Sequence, residues 1–242
     1  MNVTLLLPLL LAASPAGKPA AIPDRWDADL EAGLPTGQVL VQKLVGDLDG
    51  DKKPEWVAVG ASKGEAGTVS IAIFAPPAKG GKPTLRFAQW FKAPGVTVAG
   101  AVIRNIAPVG PAVVLVAGAP DPNGDSSFFA NVYAFRGNDY RGLVPEQLVF
   151  KSQGGFAIED VDPQQPGAEI VAWTWLPEAG EQLYDYHRYA YLTWHFDGVR
   201  WVRDDREKQT AAKFPDPAAA AKAIGLKSGD LRKSVPNVAA VP

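Results

Sequence analysis

Four carboxylates crowd into the short stretch from Asp47 to Glu55, directly before an apolar run. Asp47, Asp49 and Asp51 occupy alternate positions, and Glu55 follows them. Negative charges this close together repel one another, so a compact loop needs a compensating charge. Calcium takes six to eight oxygen ligands and accepts flexible carboxylate loops, and alternate acids in a tight loop converge on one point. The spacing therefore favours a calcium ion, with a solvated acidic turn as the alternative.

The predicted ion has a structural role. All of its ligands come from one short loop, so it would neutralise the acids and fix the turn between two strands. Nothing in the sequence of the loop suggests a water molecule positioned for chemistry. We therefore expect a structural ion and not a catalytic metal centre.

The acidic loop is the first of three similar segments. The stretches 43–50, 101–108 and 156–163 each end an apolar run with Asp or Asn followed by an aliphatic residue. Asp47, Asn105 and Asp160 correspond, with separations of 58 residues (47 to 105) and 55 residues (105 to 160). A fixed period of this length is typical of proteins built from stacked repeats.

The segments that surround each corner predict four strands per repeat. A near-continuous apolar run follows each corner, as in "EWVAVG", "AVVLVAGAP" and "EIVAWTW", and such runs are typical of strands buried on both faces. We therefore predict an all-β fold of three four-stranded antiparallel blades, forming a partial or small β-propeller. The units span 37–94, 95–149 and 150–203, within a repeat domain at 37–203. An ordinary β-sandwich is the alternative.

Short helices are predicted on both sides of the repeat domain. The N-terminal linker at 17–36 contains "PDRWDADLEAG", and the C-terminal segment at 204–242 contains "PDPAAAAKAIGL" followed by a tail. In the second helix Asp216 is the expected N-cap and Pro217 takes the first helical position.

The first 16 residues are predicted to be a secretory signal peptide. An apolar core too short to span a bilayer is followed by Ser14 and Ala16, which suit cleavage after Ala16. We therefore expect a secreted or periplasmic protein that has no membrane contact after the signal is removed. The net charge of -2 gives no reason to expect nucleic acid as a partner, and the absence of cysteine excludes disulfides and thiolate chemistry.

The stretch "DLDGDKKPEWVAVG" resembles the D-x-[DN]-G-D-x-x-x-[DE] motif, with its following strand, of FG-GAP/VCBS-type repeats. These repeats occur in integrin-like β-propellers and in many secreted bacterial proteins. The arrangement "VAGAPDPNG…ANVYAF" is also similar, and the resemblance covers about residues 37 to 203. It implies a calcium site whose ligands are the side chains of Asp47, Asp49, Asp51 and Glu55 and the carbonyl of Lys53.

The resemblance weakens in the later repeats. Asp160, Asp162 and Glu169 match the motif in part, which implies a weaker second calcium site, whereas the second repeat retains no acidic ligand set. In the first repeat Lys52 stands where the family often has glycine.

The stretch 184–196 is rich in aromatic residues and contains the only two histidines, His187 and His195. Strand alternation predicts that Tyr189 and Tyr191 point outward beside the histidines, where they could stack on sugar rings. Packing between blades is the competing interpretation of these aromatics.

Three functions follow from these patterns. We favour a non-enzymatic, calcium-stabilised repeat module outside the cytoplasm that serves binding or scaffolding, with a protein or glycan partner. A carbohydrate-binding protein that uses the aromatics of 184–196 is the first alternative. The second is a hydrolase with an unrecognised site, for example His187 with Asp185 and Glu181, although no G-x-S-x-G motif is present.

Overall fold

The computed structural model describes residues 21–62, 67–119, 126–165, 167–182 and 184–235. The predicted signal peptide and the last seven residues of the predicted tail lie outside these ranges. Within them the protein is mostly β, with three antiparallel sheets and short helices at both ends. The predicted all-β class is therefore confirmed. No helix among the described residues combines the length and apolarity needed to cross a bilayer.

Sheet 1 is a four-stranded antiparallel meander in which neighbours in sequence are neighbours in space. Its strands are β1 (Gln38–Gly46), β2 (Glu55–Ser62), β3 (Thr68–Ala75) and β4 (Thr84–Lys92).

Sheet 2 repeats this order and adds a fifth strand. Its strands are β5 (Val98–Ile106), β6 (Gly110–Ala119), β7 (Ser127–Arg136), β8 (Asp139–Gly142) and β9 (Leu148–Lys151). Both β8 and β9 pair with β7. The predicted fourth strand "EQLVF" overlaps β9, whereas the short strand β8 was not predicted.

Sheet 3 has the same meander and a short additional pairing. Its strands are β10 (Gly154–Glu159), β11 (Glu169–Leu176), β12 (Arg188–Phe196), β13 (Trp201–Arg203) and β14 (Lys208–Gln209). The last two both pair with β12.

The sheets stack face to face, with sheet 2 in the middle. On β6, Val113 and Leu115 pack into the cluster shared with sheet 1, whereas Val114 and Val116 pack into the cluster shared with sheet 3. Burial on both faces explains why this strand is a continuous apolar run. Three stacked sheets also exclude the two-sheet sandwich that was the alternative.

A short helix covers each outer face of the stack. Helix α1 (Asp27–Glu31) follows a 3₁₀ turn at Asp24–Trp26 and packs Leu30 against Phe74 of sheet 1. Gly33 then lets the chain pass this ring, because an added Cβ would lie 2.5 Å from it.

Helix α2 (Pro217–Ala223) packs Ala220 and Ala221 against Trp173 and Tyr189 of sheet 3. The predicted N-cap is confirmed, since the Asp216 carboxylate accepts a 2.8 Å hydrogen bond from Ala219 N. The chain continues to a second 3₁₀ turn at Leu231–Ser234, which packs beside β10.

Polar contacts connect neighbouring sheets. The Gln42 side chain accepts from Ala101 N at 2.6 Å and donates to Ala101 O at 3.0 Å, so it pairs with β5 as a strand would. Between sheets 2 and 3, Ala168 N donates to Ala107 O at 2.8 Å. Trp201 donates from its backbone to Leu143 O at 2.8 Å.

The middle corner corrects one detail of the predicted repeat. Asn105 lies within β5, opposite Pro111, and the turn begins after Ile106. The proposed equivalence of Asn105 with Asp47 and Asp160 is therefore wrong, because those two residues follow the ends of their strands.

Candidate functional site

The acidic corner joins β1 to β2 in sheet 1. It begins after the pairing of Gly46 with Glu55. One carboxylate oxygen from each of Asp47, Asp49 and Glu55 lies within 4.8 Å of the other two. Calcium–oxygen bonds are about 2.3–2.6 Å long, so two ligands of one ion lie at most about 5 Å apart. These three carboxylates therefore have the separation that a single calcium ion requires.

The backbone of the corner is wound around these side chains. The two Asp47 oxygens accept hydrogen bonds from Gly50 N at 2.8 Å and Lys52 N at 3.0 Å, and Asp49 accepts from Asp51 N at 3.0 Å. Gly50 and Lys52 both have positive φ angles, of 82° and 69°. A left-handed lysine is uncommon, because a side chain disfavours this conformation and glycine adopts it freely.

Glu55 is the buried member of the group. Its side chain accepts a 2.7 Å hydrogen bond from Leu48 N, and the residue is only 6% exposed. Burial raises the pKa of this carboxyl, and repulsion from Asp49, Asp47 and Asp51 raises it further. A cation at the corner would favour the ionised form and so oppose both effects.

The remaining predicted ligands of this site are Asp51 and Lys53, and they contact each other. The Asp51 carboxylate accepts from Lys53 N at 2.7 Å and lies 3.4 Å from Lys53 Nζ. The hydrogen bond from the Lys53 backbone is the main cause of the lowered pKa of Asp51. Asp51 is therefore outside the group of three, although it borders the same cleft of about 740 Å³. This cleft gives water and ions access to the corner.

The third corner, between β10 and β11, repeats one part of this design. Glu169 is 3% exposed and accepts from Val161 N at 2.8 Å, as Glu55 accepts from Leu48 N. Asp162 instead accepts from Gln164 N at 2.9 Å, and Asp160 is exposed. Among the described residues, the predicted second set of ligands is not gathered within reach of one ion. The shared feature is a buried glutamate that opens the second strand of its sheet.

Tyr189 lies on the outer face of sheet 3, as the alternation predicts, but the exposure that sugar binding requires is wrong. Tyr189 is 1% exposed, because α2 covers this part of sheet 3. A buried ring cannot stack on a sugar. Tyr191 is half-buried and lines a small pocket farther along the same face. The exposed aromatics of the region are Tyr184 and Tyr186, at 91% and 60%.

His187 is buried and belongs to a structural network. Its Nδ1 lies 2.8 Å from a Glu181 oxygen, and Glu181 also pairs with Lys213. Hydrogen bonds from Lys213 and His187 lower the pKa of Glu181 to about 2. The His187 backbone exchanges two hydrogen bonds with Phe214, so this network fastens the loop before β12 to the segment that precedes α2.

Asp185, the third residue of the suggested hydrolase set, is not part of this network. Its carboxylate accepts a 2.6 Å hydrogen bond from Gln182 N, which closes a local turn. His187 itself is only 3% exposed and packs its ring edge-on against Trp175, with centroids 4.4 Å apart. The arrangement favours support of the fold over attack on a substrate.

Comparison with protein-family models, with curated proteins and with solved structures finds no match to this chain.

Proposed function

We propose that the protein is a non-enzymatic, calcium-stabilised repeat module that serves binding or scaffolding outside the cytoplasm. The observation that carries this proposal is the approach of Asp47, Asp49 and Glu55 to within 4.8 Å of one another. Without a cation, this arrangement holds a buried carboxylate against two others. Calcium would convert the repulsion into attraction and use the oxygen ligands it prefers.

The location of the corner supports a structural role for the ion. Leu48, between two of the three acids, is buried in the cluster that sheets 1 and 2 share. Tyr140 of sheet 2 is also in this cluster, and burial and the Glu55 charge raise its pKa. An ion that orders the corner would therefore also order the contact between the two sheets.

We propose further that the three sheets are blades of the FG-GAP/VCBS type in an open assembly. Three features support this: the repeated meander order, the face-to-face stacking, and the buried glutamate in corners 1 and 3. The outer faces of the stack are occupied by α1 and α2. Capping elements of this kind are typical of open repeat arrays, whereas blades of a closed ring use these faces to contact one another.

Thermal unfolding with and without calcium tests the proposal. Extracellular calcium modules bind with a dissociation constant of about 10⁻⁴ to 10⁻³ M. At ten to a hundred times that concentration, calcium stabilises the folded state by about 1.4–2.7 kcal/mol, which corresponds to a rise in Tm of about 3–10 °C. Asp49→Asn should remove most of the rise. Asp205→Asn, at an exposed aspartate outside the corner, is the matched control. An equal rise in the Asp49→Asn protein would contradict the proposed site.

A further inference from the structure

A second polar pocket lies on the outer face of sheet 3, beyond the end of α2. It has a volume of about 270 Å³. Strands β11 and β12 form its floor, the corner at 161–165 forms one wall, and the segment after β13 forms the other. Ile224, directly after α2, closes one end. The pocket is the part of this face that the helix leaves uncovered.

Several hydrogen-bonding groups in the pocket are available to a ligand. His195 Nδ1 lies 3.0 Å from Asp204 Oδ1, which fixes the ring and leaves Nε2 for another partner. The side chains of Tyr191, Thr193 and Gln165 also line the pocket and make no hydrogen bond to another described residue. Convergent polar groups of this kind on a shaped floor are typical of small-molecule sites.

The charges of the pocket favour a cationic ligand. Asp162 lies on one wall, Glu169 at the adjoining end of the floor and Asp204 on the other wall, whereas Lys208 is the single lysine or arginine that lines the pocket. Its Nζ is 3.9 Å from Asp204 Oδ2. Three carboxylates therefore share the pocket with one ammonium group and the His195 imidazole. Such an excess attracts positive charge, and the tyrosine ring can add to the attraction.

A metal ion does not satisfy this geometry. Among the described residues, the one group of acids and histidines close enough to share an ion is that of the first corner. A ligand that contacts the acids and the histidine together would therefore have to extend across the pocket. The volume of about 270 Å³ lies just below the range of about 300–1,000 Å³ typical of small-molecule sites, so we expect a small ligand.

We propose that this pocket binds a small amine-bearing polyol, of which an amino sugar is the fitting class. The ammonium group lies toward Asp162 and Glu169, and the hydroxyls meet Thr193, Gln165 and His195 Nε2. This inference rests on the binding role proposed above and uses none of the residues of the first corner, so the two can fail separately.

Titration calorimetry near pH 7 tests the inference, with chelator present to exclude calcium. Glucosamine should bind at one site per chain. Glucose and N-acetylglucosamine lack the cationic amine and so lose a charge-assisted hydrogen bond. Their affinity should be lower by a factor of about ten or more. Asp162→Asn and Thr193→Val should each weaken glucosamine binding, with Asp205→Asn as the control. An unchanged Tm establishes that each variant is folded.

Three results would overturn the inference. The first is the absence of saturable glucosamine binding, and the second is equal affinity for glucose and glucosamine. The third is an affinity for glucosamine that neither Asp162→Asn nor Thr193→Val changes. Calcium binding without sugar that is lost in Asp162→Asn would instead assign this corner to an ion. None of these results alters the calcium-dependent rise in Tm that depends on Asp49, so failure here leaves the first site testable.

Discussion

The effect of Glu55→Gln on stability should depend on whether calcium is present. The substitution keeps the shape of the side chain and an oxygen that can accept from Leu48 N. It removes the buried negative charge whose pKa is raised by burial and by the neighbouring aspartates. Without calcium, the variant should therefore be more stable than the wild type. With calcium, the variant lacks a charged ligand, so this advantage should be cancelled or reversed.

The magnitude follows from the distances in the corner. Two unit charges 4.8 Å apart repel by about 1 kcal/mol in water and about 3.5 kcal/mol at the effective dielectric near a protein surface. Asp47 and Asp49 are partly exposed, so the lower part of this range applies. We expect Glu55→Gln to raise the free energy of unfolding by about 1–2 kcal/mol in chelator. At saturating calcium it should forfeit most of the 1.4–2.7 kcal/mol that binding contributes.

The pH dependence has a defined sign. A folded-state pKa above the ordinary 4.5 means that the folded protein holds this proton more tightly than the unfolded chain does. The resulting destabilisation is absent well below pH 4.5 and develops as the pH rises through the folded pKa. The difference in stability between the variant and the wild type in chelator should therefore grow over this interval.

Urea unfolding followed by tryptophan fluorescence measures these differences, since Trp56 lies beside Glu55. Asp205→Asn again serves as the control. If Glu55→Gln lowers the free energy of unfolding equally with calcium and with chelator, Glu55 acts only as a hydrogen-bond acceptor, and the reasoning is refuted.

Two further predictions concern the cover on sheet 3. Tyr189→Ala should lower the free energy of unfolding in urea by about 3–5 kcal/mol, because the ring is buried under α2. Tyr191→Ala should lower it clearly less, since Tyr191 is only half-buried. Equal losses in the two variants would contradict this difference in burial. Asp216→Ala should cost about 1 kcal/mol through loss of the helix cap, with Asp205→Ala as the control, and no loss would mean that the cap contributes nothing.

The order of apolar and polar residues along the chain predicted much of the fold, because it follows directly from which faces of each strand are buried. A strand buried on both faces is apolar at every position, and β6 is such a strand. Helix α2 carried its own start signal in Asp216 and Pro217. The missed strand β8 had a signal as well. Gly137 and Asn138 both have positive φ and form the two-residue turn between β7 and β8.

The candidate site was predicted less completely, because long-range contacts leave no local pattern. The spacing of Asp47, Asp49 and Glu55 in sequence was enough to bring them together. The pairing of Asp51 with its neighbour Lys53 competes with ion binding, and spacing does not reveal it. Tyr189 alternates correctly with the histidines, but a helix from far along the chain covers it.

The pocket beside His195 depends on the same long-range cover. Its walls come from segments on both sides of β12, and Asp204, directly after β13, lies beside the histidine. The acidic character of Asp162 and Glu169 was visible in the sequence, but their position opposite a His–Asp pair was not.

Equilibrium calcium binding, measured by titration calorimetry on the wild type and on Asp49→Asn, tests the central claim most directly. We expect one site per chain with a dissociation constant of about 10⁻⁴ to 10⁻³ M, and at least tenfold weaker binding in the variant. A wild-type protein that binds no calcium at 10⁻² M, roughly ten times the weaker limit, would contradict it. Binding that Asp49→Asn leaves unchanged would do the same.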